Sequence, residues 1–479
     1  MLSQLVTWPA PASEIPSPDF TVEVDGCPVF VYQARVRAEI LPNDGLWTHQ
    51  RDCRGERASF AIFDIAAPVT VTVRPARDFH AATVLPARAG IATETTTAEV
   101  RFTVTHPRQL TVILDGSDAA LLHLFIGTPE TDVPRADDPD VIYFAPGLHE
   151  IDGLTIPSGK TVYLAGGAVV KAALPSGETG TYSEKWKVTF YNGSGLTVTQ
   201  AKGVRICGRG ILDGSLIPHP GWTLVNISQS EDVRLSGIVL RDSANWDVII
   251  NQSRRVEVDD LRIISGRLNS DGINSVNSQQ VHIHDCFVRN HDDSIVVKAT
   301  APAPASEDIL VEDCVIWNDW GYALGATYET RAPIRRVQFQ RCDILFASHQ
   351  CLGVRVGDRA TVSEITFRDI TVSPLVPAPH RGGERAYIPS EPWLIQLIIV
   401  NDCFSTDAEV GCIRDITVDG LTQAGDHLLA SEIIGVDTEH DVQNVILRNI
   451  RLHGHPPVTT ADELRLRIGE FVSVVRIEG

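Results

Sequence analysis

Three carboxylates give this sequence its clearest chemistry, and they fall in one stretch, NSDGINSVNSQQVHIHDCFVRNHDDSIVVKA, at residues 269–299. Asp271 sits in NSDG, and Asp292 and Asp293 stand side by side in HDDS. Carboxylates packed together raise one another's pKa, because each negative charge disfavours the next ionisation. A protonated acid can then stand beside an ionised base. Cleavage of a glycosidic bond uses such a pair: one carboxyl protonates the leaving oxygen while another activates water. Carboxyl groups roughly 6.5–9.5 Å apart accompany inversion at the anomeric carbon, and about 5 Å accompanies retention.

What must position these residues is a repeat. The eight-residue frame VRLSGIVL at Val233 recurs as VEVDDLRI at Val256, VHIHDCFV at Val281, ILVEDCVI at Ile309, VQFQRCDI at Val337 and ITFRDITV at Ile365. It is recognisable again at Val204, Ile416 and Val445, with successive starts 29, 23, 25, 28, 28, 28, 51 and 29 residues apart. A period of this length, built of short strands without a helical pattern, predicts a parallel β-helix with one coil per repeat. The long interval marks an insertion at about 374–412 that carries Arg381, Arg385, Tyr387 and Trp393, expected to close one end of a groove and impose exo action. Frame position six reads Ile238, Leu261, Cys286, Cys314, Cys342, Ile370, Leu421 and Ile450. The three cysteines are therefore expected to stack inside as small hydrophobes.

Asp271 precedes Asp292 and Asp293 by 21 and 22 residues, close to one coil, so all three are expected on one wall with coils about 4.8 Å apart. Adjacent strand residues point to opposite faces, so Asp292 and Asp293 can share a site only if HDDS is a bend or bulge. A single aspartate at a coil corner reads as an Asx-turn residue. Three on one wall beside aromatic and basic side chains read as acid and base chemistry.

Residues 1–128 show a different pattern: alternating runs such as FTVEVDG, APVTVTVRP and AEVRFTV predict an N-terminal β-sandwich with one solvated face. Polar, acidic PETDVPRADDPD supplies a linker at 129–140, and 141–479 is the predicted solenoid, with the sandwich expected to cap its first coil. The fold class is thus all-β, a right-handed parallel β-helix preceded by a sandwich. The nine cysteines are odd in number and lack CxxC pairs or metal-ligand spacing, so neither a disulfide framework nor a zinc site is indicated, and no cofactor is expected. A net charge of -20 argues against nucleic acid and anionic membranes as partners and would repel a polyanionic glycan at distance. The start of the chain lacks a signal-peptide pattern, so a cytoplasmic location is expected, or a secreted one if the chain was trimmed.

On its motifs, the solenoid resembles the polygalacturonase family, glycoside hydrolase family 28. NSD at residues 269–271 matches that family's NTD motif, Asp292–Asp293 its DD motif, and GILDG at 210–214 and SANW ending at Trp246 its earlier coils. The resemblance implies inversion, with Asp292 as general acid and with Asp271 and Asp293 activating water. Where the family has GHG this chain has Gly321, Tyr322 and Ala323, and where it has RIK this chain has Arg355, Val356 and Gly357. The arginine is kept and the histidine and lysine are missing. In that family the Arg and Lys grip a uronate carboxylate, so the resemblance implies a weakened preference for galacturonate.

Lys298 stands in the strand position of the missing lysine two coils earlier. Asn269, Lys298, Trp320, Tyr322, Glu329, Arg331, His349 and Arg355 are the candidate substrate-binding residues, with His291 and Tyr328 at comparable places. The order of sandwich and β-helix is also similar to the dextranase and isopullulanase family, whose substrates are neutral α-glucans. The expected partner is a poly- or oligosaccharide. A polysaccharide lyase and a non-catalytic carbohydrate-binding β-helix are the competing readings; sugar, linkage and oligomeric state stay open.

Overall fold

From Val141 onward each turn of the chain lays down three short strands separated by bends, and successive turns stack in parallel register. The computed structural model describes residues 4–36, 56–184, 188–373 and 391–479. Among these, sheet I runs through twelve strands from Val141–Phe144 to Val472–Glu478. Sheet II runs through eleven strands from Gly147–Ile151 to Arg451–Leu452, and sheet III through eleven from Leu154–Thr155 to Leu466–Ile468. The coil is a right-handed parallel β-helix, the hand that parallel crossovers of L-residues adopt. No described helix is long and apolar enough to cross a membrane.

The repeat frame is the physical register. Val233, Val256, Val281, Ile309, Val337, Ile365, Ile416 and Val445 are successive partners in sheet I. Frame position five turns the chain from sheet I into sheet II in the left-handed region, from Gly237 at φ 76° and Asp260 at 52° to Gly420 at 83° and Asn449 at 55°. That conformation favours Gly, Asn and Asp, which is why these residues recur there; Arg341, at 53°, is the exception. Position six points into the bore. Cys286, Cys314 and Cys342 are fully buried there as free thiols, among Val, Ile and Leu from all three sheets.

The N-terminal strands form a six-stranded sheet, which includes Arg57–Ile65, Arg108–Leu114 and Ser117–Gly127, facing a five-stranded sheet that includes Phe20–Val24 and Val100–Val104. Only the five-stranded sheet alternates buried with exposed residues. The six-stranded sheet departs from the expected solvated face: Arg57–Ile65 is buried from its second residue to its last. Its outer side chains Tyr32, Phe60, Ile113 and Phe125 pack on Val169, Ile211, Val239, Ile264, Phe287, Trp317 and Phe346 of seven successive sheet II strands. The sandwich therefore lies along the flank of the solenoid instead of closing its first coil.

Ion pairs fasten this interface. Arg209 binds Asp64 (2.9 Å), Arg241 binds Glu14 (2.8 Å), and Arg35 pairs with Asp242. Buried Arg289 bridges Asp319 (2.9 Å) and the ring of His123 (3.1 Å). The connection beyond Gly127 lies against sheet I, with Glu130 accepting from Tyr163 (2.9 Å) and Asp132 paired with Arg205 (2.7 Å).

Candidate active site

Sheets II and III meet at a corner that recurs in each coil, and successive corners lie on top of one another. Gly272 donates its N–H to the Asp293 carbonyl (2.8 Å), and Ser294 donates to the Tyr322 carbonyl (2.7 Å). HDDS occupies such a corner, between the strands Phe287–His291 and Ile295–Ala299. The bend lets adjacent aspartates share a side, which a straight strand forbids. One carboxylate oxygen from each of Asp271, Asp292 and Asp293 lies within 4.8 Å of the others.

The three are not equivalent. Asp271 and Asp293 are each 2% exposed, while Asp292 is half-buried. Burial, then the negative charge of Asp293, pushes the Asp292 carboxyl up to about 7. Burial and then Asp292 hold Asp271 well above the usual carboxylate range, and its Oδ1 is buried without a hydrogen-bond partner. Asp293 is clamped by three donors: Lys298 Nζ (2.8 Å), Thr327 Oγ1 (3.0 Å) and the Tyr322 N–H (3.1 Å).

Lys298 is 3% exposed and also reaches Glu329 (3.1 Å). Burial opposes its charge, but Asp293 and Glu329 outweigh that and keep it protonated well beyond the ordinary lysine range. Three clustered carboxylates could also hold a divalent cation, yet this ammonium already supplies the positive charge at Asp293. A second group, Glu257, Asp259 and His284, lies on sheet I. Arg234 takes Asp259 there (2.8 Å), and the hydrogen bond that His284 donates to Asp285 pushes the imidazole up to about 9, which leaves a cation instead of a ligand nitrogen.

The corner backbone is held by buried amides that lie in register, Asn290 beside Asn318. Asn290 Nδ2 donates to the carbonyls of Ser270 (2.9 Å), Asp292 (2.8 Å) and Asp293 (2.8 Å). Asn318 Nδ2 donates to the carbonyls of Asp292 (2.7 Å) and Trp320 (2.6 Å). Gly321, at φ 82°, passes so close that a Cβ there would lie 2.8 Å from the Asp292 carbonyl carbon and 2.9 Å from Asp293 Oδ1. Asn290, Asn318 and Thr327 escape a reading of motifs alone. Their signal is periodic: Asn290 and Asn318 are 28 residues apart, as are the frames at Val281 and Ile309.

Most of the candidate binding residues surround this cluster. The His291 ring stacks on Trp320 (5.6 Å between centroids), whose edge meets His349 (4.6 Å), and His349 Nδ1 accepts the Gly321 N–H (3.2 Å). Lys298 lies 5.7 Å from the rings of both Trp246 and Tyr328. Tyr322 is buried, with its hydroxyl accepting from Arg355 (3.0 Å). The Arg355 guanidinium rests on Tyr328 (4.4 Å) and pairs with Asp402.

Other candidates have local structural partners. Asn269 is a turn residue at φ 56°. Arg331 binds Asp407 (3.2 Å) and the Thr300 carbonyl (3.2 Å) at the far end of its strand, away from the three aspartates. Gly357 leaves no room for a side chain, since a Cβ would lie 2.8 Å from the Tyr328 carbonyl oxygen. The chain leaves sheet II after Thr371–Val372 and re-enters sheet III at Trp393–Ile399, so the interval expected as one insertion at about 374–412 contains a regular coil strand: Trp393 opens that strand, paired with Gln350, instead of lying in an inserted loop, and Arg381, Arg385 and Tyr387 lie outside the described residues.

Residues 148–379 match glycosyl hydrolases family 28. The chain is 25% identical over 243 residues to the probable endopolygalacturonase E of Aspergillus niger, covering 47% of this chain and 61% of that one. It thus spans less than two thirds of that relative, and 29% of a Chamaecyparis obtusa polygalacturonase that is 23% identical over 156 residues and 31% of this chain. Among solved structures, the Thermotoga maritima exopolygalacturonase is similar in fold, with TM-score 0.53 and 16% identity over 71% of this chain and 84% of that one. Dex49A from Penicillium minioluteum gives TM-score 0.54 and 13% identity over 97% of this chain and 98% of its own.

Proposed function

We propose, from the match of residues 148–379 to glycosyl hydrolases family 28 and from the site geometry, that the chain hydrolyses a glycosidic bond of a poly- or oligosaccharide with its three clustered aspartates. The observation that carries the reading is the corner itself: three carboxylate oxygens within 4.8 Å, one of them on a group poised at about 7. Asp292, the most exposed, donates its proton to the leaving oxygen. The anomeric carbon gains positive character as that bond breaks, and the neighbouring carboxylates stabilise it. A water between Asp271 and Asp293 loses its proton to the pair as it attacks, with Asp293 held in place by Lys298 and Thr327.

The substrate ring beside Asp293 is a neutral sugar. The two described cations beside the cluster are each matched by the chain's own carboxylates, Lys298 by Asp293 and Glu329 and Arg355 by Asp402. The same pairing disfavours a lyase, which needs a free cation or base beside a uronate.

Inversion follows from the family resemblance. The close approach of the carboxylate oxygens leaves retention through a glycosyl-aspartate as the second course. A screen of neutral and uronic oligosaccharides, with NMR of the first-formed anomer, separates them. An inverted first product supports the water-attack scheme, and a retained one replaces it. A product absorbing in the near ultraviolet, or no turnover of any glycan, refutes hydrolysis.

A further inference from the structure

We infer that Asp402 sets the charge selectivity of the groove by acting as a built-in carboxylate for Arg355, so that a neutral sugar is accepted and an acidic one refused. The inference deepens the proposed function and rests on reading this corner as a saccharide-binding groove. Arg355 projects from the outer face of sheet III, where its guanidinium has three partners: the Tyr322 hydroxyl (3.0 Å), the Tyr328 ring (4.4 Å) and Asp402. Tyr322 links it to the reaction centre through the N–H that binds Asp293 (3.1 Å). Lys298 shares the Tyr328 ring (5.7 Å), so both cations converge on one aromatic side chain.

Asp402 is not a casual surface partner. It begins a loop fixed at several points: its N–H donates to Ser405 Oγ (3.1 Å), and its Oδ1 accepts from the Phe404 N–H (2.9 Å). Farther along, the N–H groups of Thr406 and Asp407 both donate to Asp358 Oδ1 (2.7 Å each), and Asp407 is paired with Arg331 and Arg359. The loop also sets Phe404 edge-on to Tyr328 (5.2 Å). The carboxylate is thus delivered by a braced element to a cation that sheet III presents.

The two compensated cations differ in one respect. Lys298 is 4% exposed along its side chain and locked by two carboxylates, whereas Arg355 and Asp402 are 18% and 24% exposed along theirs. That pair can be reached by a ligand. Sugar hydroxyls can donate to Asp402 and accept from Arg355 together, because a hydroxyl has both capacities. A sugar carboxylate meets Asp402 as a like charge and must break an existing ion pair to reach Arg355.

Trigalacturonate and its methyl ester share a skeleton and differ in charge, so their affinities for the full chain, read by tryptophan fluorescence, give a direct ratio. The intact protein is expected to favour the ester by about tenfold, and D402N to shift the ratio about tenfold or more towards the acid. D402E keeps the carboxylate and is expected to keep the original preference. A circular dichroism melt of D402N that matches the parent confirms that the ratio refers to a folded chain, while a collapsed melt transfers the decision to the intact protein and D402E. The inference is overturned by an unchanged ratio in folded D402N, by an intact protein that prefers the acid, or by no binding of either probe. Because the ratio is a binding measurement, it stands apart from turnover: a chain that binds with this selectivity yet cleaves nothing refutes the hydrolase reading and retains Asp402 as the selector.

Discussion

Replacing Asp292 by asparagine should cut turnover sharply while making the protein more stable, by an amount that grows as pH rises from about 4 to about 7 and is full above that. The carboxyl is raised from an ordinary 3.8 to about 7 by burial and by the adjacent Asp293. Between those values the folded chain holds a proton that the unfolded chain has released, so stability falls as pH rises across the interval and the loss is complete above about 7. At about 1.4 kcal/mol per decade, the full displacement corresponds to about 4 kcal/mol, and solvent screening at this partly exposed side chain reduces it to about 2 kcal/mol. Asparagine keeps the Oδ1 that accepts the Asp293 N–H (2.9 Å) and removes the charge. Urea unfolding at pH 4 and pH 8.5 measures the effect: D292N should match the parent at the lower pH and exceed it by about 2 kcal/mol at the higher. Loss of the acid should cost about 10²–10⁴-fold in kcat, and the parent's rate should decline above about pH 7. A stability difference of equal size at both pH values, or a D292N chain less stable at pH 8.5, refutes the electrostatic reasoning.

Two substitutions test the support beneath the aspartates. N318A removes the amide that binds the Asp292 and Trp320 carbonyls, leaving Asn290 as the side-chain donor to Asp292; a loss of about 1–3 kcal/mol in urea unfolding is expected, with kcat falling more than KM rises. G321A combines a left-handed backbone with a Cβ 2.8 Å from Asp292, so it should displace that corner, lowering kcat at least about 100-fold and the unfolding free energy by about 1–3 kcal/mol.

Coil register could be read from sequence because one residue in each frame must turn left-handed and its neighbours must alternate between bore and exterior. That requirement leaves Gly, Asn or Asp at the corner and apolar residues at fixed offsets, as at Gly237, Asp260 and Asn449. It also placed Asp271 near Asp292 and Asp293, since their separation is nearly one coil. The docking of the sandwich was hidden for a related reason: Arg57–Ile65 is buried on both faces, and a second buried face replaces alternation with a continuous apolar run. Asp402 was hidden because it lies inside the long interval where the period breaks, 47 residues from its partner. Lys298 was visible as a candidate, but its burial against Glu329 depends on where the outward faces of two adjacent sheet III strands meet.

The long contact between the sandwich and sheet II bears on how the molecule comes apart. A solenoid whose coils touch only their neighbours can fray from either end, one coil at a time. Here one rigid sheet is splinted across seven strands, from Val169 to Phe346, so no coil in that span can peel away without tearing the splint as well. The span includes the turns that carry Asp271, Asp292 and Asp293. Beyond Thr371 the coils lie outside it and are free to breathe first, whereas the reaction centre melts only when the sandwich does.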